Sequence, residues 1–219
     1  DKILSAATLA VLEDVYLPYR PKRRTRATVA RENGLEPLAQ KIFAQEETTD
    51  PNKEAEAFLD SEKGVEVVED ALAGARDIVA EWVNEDQETR AKMRAFYNQK
   101  ALFHAKVVPG KETEGRKYRN YFEWQEVAAK APSHRILAMR RGEKEGFLTV
   151  RVHPPEDEAL ALLETLFVRG DFAAAQQVKA AVRDSYKRLL SASMEPEIRL
   201  ASKERADAKA INVFADNLR

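Results

Sequence analysis

The sequence predicts a mainly α protein: a multihelical bundle with a helix-turn-helix-like element and at most one short antiparallel β pair. Three observations carry this prediction. Apolar residues recur with the helical 3.6-residue period along most of the 219 residues. Eight glycines and nine prolines are scattered between the periodic runs as punctuation. Period-two alternation is confined to Phe103, Ala105 and Val107 and to Leu148, Val150 and Val152, which predicts that these two runs pair.

Residues 4–15 read as a helix stopped by Pro18 and Pro21. Residues 27–33 and 37–44 read as two short helices around Asn33-Gly34, where Ala30 and Gly34 have a spacing that also occurs before a recognition helix. Residues 50–60 form a loop and a short helix opened by Pro51. The stripe Val68, Ala71, Leu72, Ala75, Ile78, Val79, Trp82 and Val83 predicts a long amphipathic helix, and residues 88–99 another. Pro109-Gly110 and Pro154-Pro155 close the two strands.

A helix follows over residues 159–167, with Gly170 suited to its C-terminal cap and Asp171 to the next N-cap. Phe172, Ala175, Val178, Val182, Tyr186 and Leu189 share one face of the long helix after it. Glu195-Pro196 is expected to open the last helix, which carries Ile198, Ala201, Ala208, Ile211, Phe214 and Leu218. Pro154-Pro155 is the expected boundary between a helical region at 1–154 and C-terminal helices at 155–219.

Bulk composition narrows the function classes. There is no cysteine, so disulfides, thiolate nucleophiles and cysteine-held metal sites are excluded. No apolar run approaches the ~18 residues of a membrane span, and no membrane contact is expected. The first residues, Asp1-Lys2-Ile3-Leu4, show neither a starting Met nor a signal-peptide pattern, so the expectation is a cytoplasmic protein whose chain begins inside a longer one. The stretch "VVPGKETEG" imitates a phosphate loop, but Ala105 and Glu112 stand where that motif needs glycine and a hydroxyl. His104, His134 and His153 are far apart in sequence, and although His153 and Asp157 are four apart, Pro154 and Pro155 break the helix that would align them. The expectation is therefore no catalysis and no cofactor.

Charge is distributed unevenly. The chain has 36 Lys+Arg and 37 Asp+Glu, a net charge of −1. Yet Arg20, Lys22, Arg23, Arg24 and Arg26 crowd one proline-broken loop with no acid between them. Arginine forks bidentately onto phosphate, and Tyr19 adds a face on which a base can stack. These six residues are the primary nucleic-acid candidates, with Arg140 and Arg141 as secondary ones. The competing reading is a solvated connector whose guanidiniums pair with nearby acids. Two further basic groups, Arg116, Lys117 and Arg119 among aromatics and Arg135, Arg140, Arg141 and Lys144, lie downstream, with Ile136, Leu137 and Met139 expected in the core.

The stretches "LEDVYLPYRPKRRTRATVARENGLEPLA", "VVPGKETEG", "APSHRILAMRRGEKEGFL" and "ADAKAINVFADNLR" resemble the bacterial Tex family of transcription accessory factors. The resemblance implies most of that family's N-terminal helical region, which contains a helix-turn-helix element. In the family it is followed by an RNase H-like domain, helix-hairpin-helix units and a C-terminal OB-fold that carries most RNA binding. It implies nucleic acid as the parent protein's partner, RNA or DNA, and no catalytic residue in this region. The alternative is a scaffold that docks RNA polymerase or transcription factors without touching nucleic acid.

Overall fold

The computed structural model describes residues 8–20 and 24–217, and its chain divides into two compact units. The first unit joins Asp1–Lys92 to Leu160–Ser191. Its axis is α5 (Val68–Glu85), whose stripe places Ala71, Leu72, Ala75, Ile78, Val79 and Val83 in the core. The Asp70 carboxylate accepts the Glu66 and Val67 N–H groups, both at 3.1 Å, and so satisfies donors that a helix start leaves orphaned. Packed on α5 are α2 (Arg26–Glu32), α3 (Glu36–Ala44), α4 (Pro51–Glu56) and α9 (Ala173–Asp184).

Asn33-Gly34 does separate two short helices, with Gly34 at φ +83°, a left-handed angle that favours glycine. On α5, Gly74 makes room for that turn: a Cβ there would stand 2.3 Å from Leu35 Cδ1 and 3.2 Å from Ala30 Cβ. The chain leaves α3 through Gln45, itself left-handed at φ 54°. The Gln45 amide donates to the Phe167 carbonyl at 2.7 Å and accepts the Arg169 N–H at 2.9 Å, tying the end of α3 to that of α8 (Glu156–Phe167).

Two local expectations after α8 are corrected. Phe172, not Asp171, occupies the N-cap of α9, while the Asp171 carboxylate accepts the Gln176 amide instead. Gly170 does not adopt the left-handed angle of a glycine cap; it leaves space for the Phe172 ring, which a Cβ would meet at 2.5 Å.

The second unit joins Met93–Ala159 to Ala192–Arg219. Here β1 (Leu102–Val107) and β3 (Leu148–His153) pair antiparallel as the alternation predicts, with Ala105 opposite Val150. The Val108 carbonyl accepts the Lys111 N–H at 3.0 Å across Pro109-Gly110, with Gly110 at φ +81°. A third strand corrects the expectation of one pair: β2 (Glu123–Val127) joins the other edge of β1, giving the order β2-β1-β3. Glu-Trp-Gln-Glu-Val lacks clean alternation because neither face of this edge strand is fully buried.

The last helix also departs from expectation. The backbone stays helical from Ala173 through a π segment at Ser185–Leu190 into α10 (Ser191–Asn217), and Pro196 lies inside α10 rather than opening it. Proline lacks the N–H that the Ala192 carbonyl would accept. Side chains near this point serve another purpose. Glu195 accepts the Val152 N–H at 2.9 Å, and Arg199 donates to the Val150 carbonyl and, at 2.5 Å, to Glu143. Residues one helical turn apart thus cap the open edge of β3, whose backbone groups have no further strand to bond. On the sheet face, the His104 and His153 rings stack at 4.2 Å and 7°.

Candidate nucleic-acid interface

The basic loop belongs to the first unit and follows α1 (Leu9–Tyr16). Thr8 caps α1, accepting the Val11 N–H at 3.3 Å. Its C-terminal half is held by Asp14, which receives a 2.5 Å hydrogen bond from Arg90 on α6 (Gln87–Lys100); both side chains are buried. Pro18 does not end helical structure abruptly but sits in a 3-10 turn, Leu17–Tyr19. That turn leaves Tyr19 79% exposed, and Arg20 then runs extended at φ −66°, ψ 133°, as a residue before proline must.

Lys22 and Arg23 lie outside the described residues. Arg24 is exposed and pairs with Glu32 at 3.0 Å. Thr25 caps α2 by accepting the Thr28 N–H at 3.0 Å, and Arg26, in the first turn, is exposed. Among the described residues no carboxylate forms an ion pair with Arg20 or Arg26. Below the loop, Arg31 binds Glu81 at 2.5 Å and Glu36 at 3.5 Å, while the Thr25 hydroxyl reaches Glu81 at 3.4 Å. Glu81, the acid that the Thr25 hydroxyl reaches, is therefore already engaged by Arg31. Of the three described arginines of the loop, only Arg24 forms an ion pair among the described residues, while Arg26 acts on the Asp77 carboxylate from a greater distance.

Arg140 and Arg141 stand in the second unit, on α7 (Ser133–Lys144). Arg141 is exposed; Arg140 is half-buried on the wall of a cleft of about 520 Å³ that Arg151 and Arg199 also line. Sequence reading passes over both of these. Arg151 could have been found as the outward residue of an alternating strand, whereas Arg199 carries no local signal.

In the other two basic groups Arg116, Arg119 and Lys144 are exposed, while Lys117 and Arg135 are engaged within the unit. Lys117 pairs with Glu145 at 2.6 Å and lies 5.1 Å from the Tyr118 ring centroid; the bond to Glu145 holds its ammonium above the ordinary lysine range. Arg135 stacks 5.1 Å over Trp124 and pairs with Glu126 at 2.8 Å. Ile136 and Met139 are buried as expected, while Leu137 is half-buried and lines an apolar groove with Val213 and Phe214. No group of three or more His, Asp or Glu among the described residues is arranged to hold a metal ion, and no described helix is long and apolar enough to cross a membrane.

Comparison with known proteins draws these features together. Residues 46–214 match the family described as Tex central region-like. Along its whole length the chain is 38% identical to Protein tex of Bordetella pertussis and 37% identical to the Transcriptional accessory protein Tex of Neisseria gonorrhoeae, spanning 29% of each. Over 99% of its length it is 26% identical to the human S1 RNA-binding domain-containing protein 1, of which it spans 23%. The chain thus covers less than a third of these relatives. A family match over most of the sequence, joined to that full-length likeness, establishes that the chain belongs to the Tex family.

Proposed function

We propose that this chain is a non-catalytic helical module of a cytoplasmic transcription accessory protein, that the parent protein binds RNA or DNA, and that the module scaffolds the other domains while adding a basic surface. The observation that carries this reading lies at the two described ends of the loop: Tyr19 and Arg20 are exposed at one and Arg26 at the other, and neither arginine is ion-paired to a carboxylate among the described residues. Polyanions bind such a surface by releasing counterions, and arginine adds directional forks to phosphate. The turn between α2 and α3 is read as the helix-turn-helix-like element, with Arg24 and Arg26 at its entrance. The name of the human relative, which is an RNA-binding one, agrees with an RNA partner.

Titration of the chain with single-stranded RNA and with duplex DNA at several salt concentrations tests this. Five phosphate contacts from the loop give a slope of about −3.5 for a single strand on logarithmic axes. Replacing Arg20, Arg24 and Arg26 by Ala removes most of that binding. Unchanged affinity in the triple variant refutes the loop as a contact surface.

A protein-docking role is favoured by a separate observation. Ile211, Val213 and Phe214 on α10 are exposed, Phe214 by 66%. Solvent-facing apolar residues in such a cluster suit a protein partner such as RNA polymerase or a transcription factor. Crosslinking from position 214 to the polymerase in a lysate, with nucleic-acid binding absent, selects this reading.

A further inference from the structure

The cleft in the second unit has two unlike kinds of lining. One is cationic, formed by Arg140 from α7, Arg151 from β3 and Arg199 from α10. The other is apolar: Ala192, Pro196 and Leu200 follow one another at four-residue steps along a single face of α10, and Leu200 is exposed. Pro196 adds to this stripe a ring with no N–H, and Glu195 and Arg199 line the cleft from the same helix beside it.

The three arginines are not equivalent. Arg199 is fixed in place, its guanidinium already engaged by the Val150 carbonyl and Glu143. Arg151 is 67% exposed, and its contact with Glu195 is a loose 3.4 Å. No ion pair to Arg140 exists among the described residues. Glu195 also faces the cleft, but it is committed to the Val152 N–H and to the two arginines beside it. With Arg199 balanced by Glu143, Arg140 and Arg151 against Glu195 leave one uncompensated positive charge at the mouth.

We infer that this cleft binds one nucleotide unit of a single-stranded nucleic acid, with the phosphate held between Arg140 and Arg151 and the adjoining base laid on Pro196 and Leu200. Its volume of about 520 Å³ falls in the range of small-ligand sites and is too small for a duplex. Phosphate draws Arg151 from its weak contact with Glu195, because a charge-assisted fork exceeds a 3.4 Å ion pair at the surface. The apolar stripe supplies what inorganic phosphate cannot use, so a nucleotide is preferred over the bare anion. This inference rests on the nucleic-acid reading above but names a site in a different unit from the loop.

The test uses the whole chain with three probes: a fluorescein-labelled oligouridylate followed by anisotropy, and AMP and inorganic phosphate followed by amide chemical shifts. The double variant Arg140→Gln/Arg151→Gln is expected to weaken oligouridylate roughly tenfold and to lower the salt slope by about 0.7, one single-strand phosphate contact. AMP is expected to shift the amides of Arg151 and Leu200, and Leu200→Ala to weaken AMP while leaving inorganic phosphate unaffected. Both substituted arginines have exposed or half-exposed side chains, and an unchanged far-ultraviolet dichroism spectrum verifies folding. Oligouridylate binding that is lost with the Arg20, Arg24 and Arg26 variant but indifferent to the cleft variants overturns this inference and leaves the loop standing. Loss only in the cleft variants does the reverse. AMP shifts scattered away from the cleft, or equal affinity for AMP and inorganic phosphate, also overturn it.

Discussion

Asp14→Ala is expected to release α1, and with it the base of the basic loop. Asp14 and Arg90 are both buried, and their hydrogen bond is 2.5 Å. Breaking a buried ion pair by removing one partner typically costs ~3–5 kcal/mol, because the remaining charge stays in a poorly solvated site. The Arg90 guanidinium also reaches the Asn84 carbonyl and side-chain oxygen at 3.5 and 3.4 Å, long contacts that soften its isolation. The expected cost is therefore near the lower end, about 3 kcal/mol, or roughly a hundredfold in the opening equilibrium of α1.

Native-state hydrogen exchange reads that opening directly at the α1 amides. Protection in α5 should change far less, since its core residues do not depend on the pair. The double variant Asp14→Leu/Arg90→Met, which replaces the pair by apolar groups, should recover most of the protection. Two results refute the reasoning: α1 exchange accelerated less than about fivefold in Asp14→Ala, or a double variant as unstable as the two single changes added together.

Three further outcomes are expected. Gly74→Ala gains about 1 kcal/mol of helix propensity, yet the added Cβ meets the buried Leu35 side chain at 2.3 Å, so chemical denaturation should show net destabilisation of ~1–2 kcal/mol; a stabilised variant means that Leu35 moves aside freely. Arg199→Ala strips the partner from the Val150 carbonyl and from Glu143, and the thermal midpoint should fall by an amount equivalent to ~1–3 kcal/mol; a change below about 0.5 kcal/mol shows that water caps the β3 edge as well as the guanidinium does. Burial, then the charges of His153 and Lys106, hold the His104 imidazole below the ordinary histidine range. The unfolded chain then binds the proton more readily, so stability is complete above the unfolded value of 6.5 and declines as pH falls from there towards the folded value. His104→Gln should flatten that decline in unfolding scans across the range, and an unaltered slope removes His104 as its source.

Most helices were legible because each buries one stripe against neighbours, and that demand writes a 3.6-residue period into the chain. The stripe from Val68 to Val83 became α5, and Asn33-Gly34 became a turn because a left-handed angle favours glycine. The pairing of β1 with β3 was legible for the same reason at period two. The edge strand β2 was not, since Trp124 and its neighbours are only partly covered and their pattern is blurred. Pro196 misled because proline usually marks a helix start; here it lies within α10, where Glu195 and Arg199 bond an edge strand about fifty residues away in sequence.

By itself the sequence determined the helical class, the turn positions and the concentration of arginine after Tyr19, all of which follow from neighbours along the chain. Only the tertiary structure decided which charges stay available: Glu81 is engaged by Arg31 and Thr25, Arg135 rests on Trp124 beside Glu126, and Arg140 and Arg151 line one cleft. Ion pairing depends on distances of a few ångströms between segments tens of residues apart, and periodicity along one segment carries no record of what faces it.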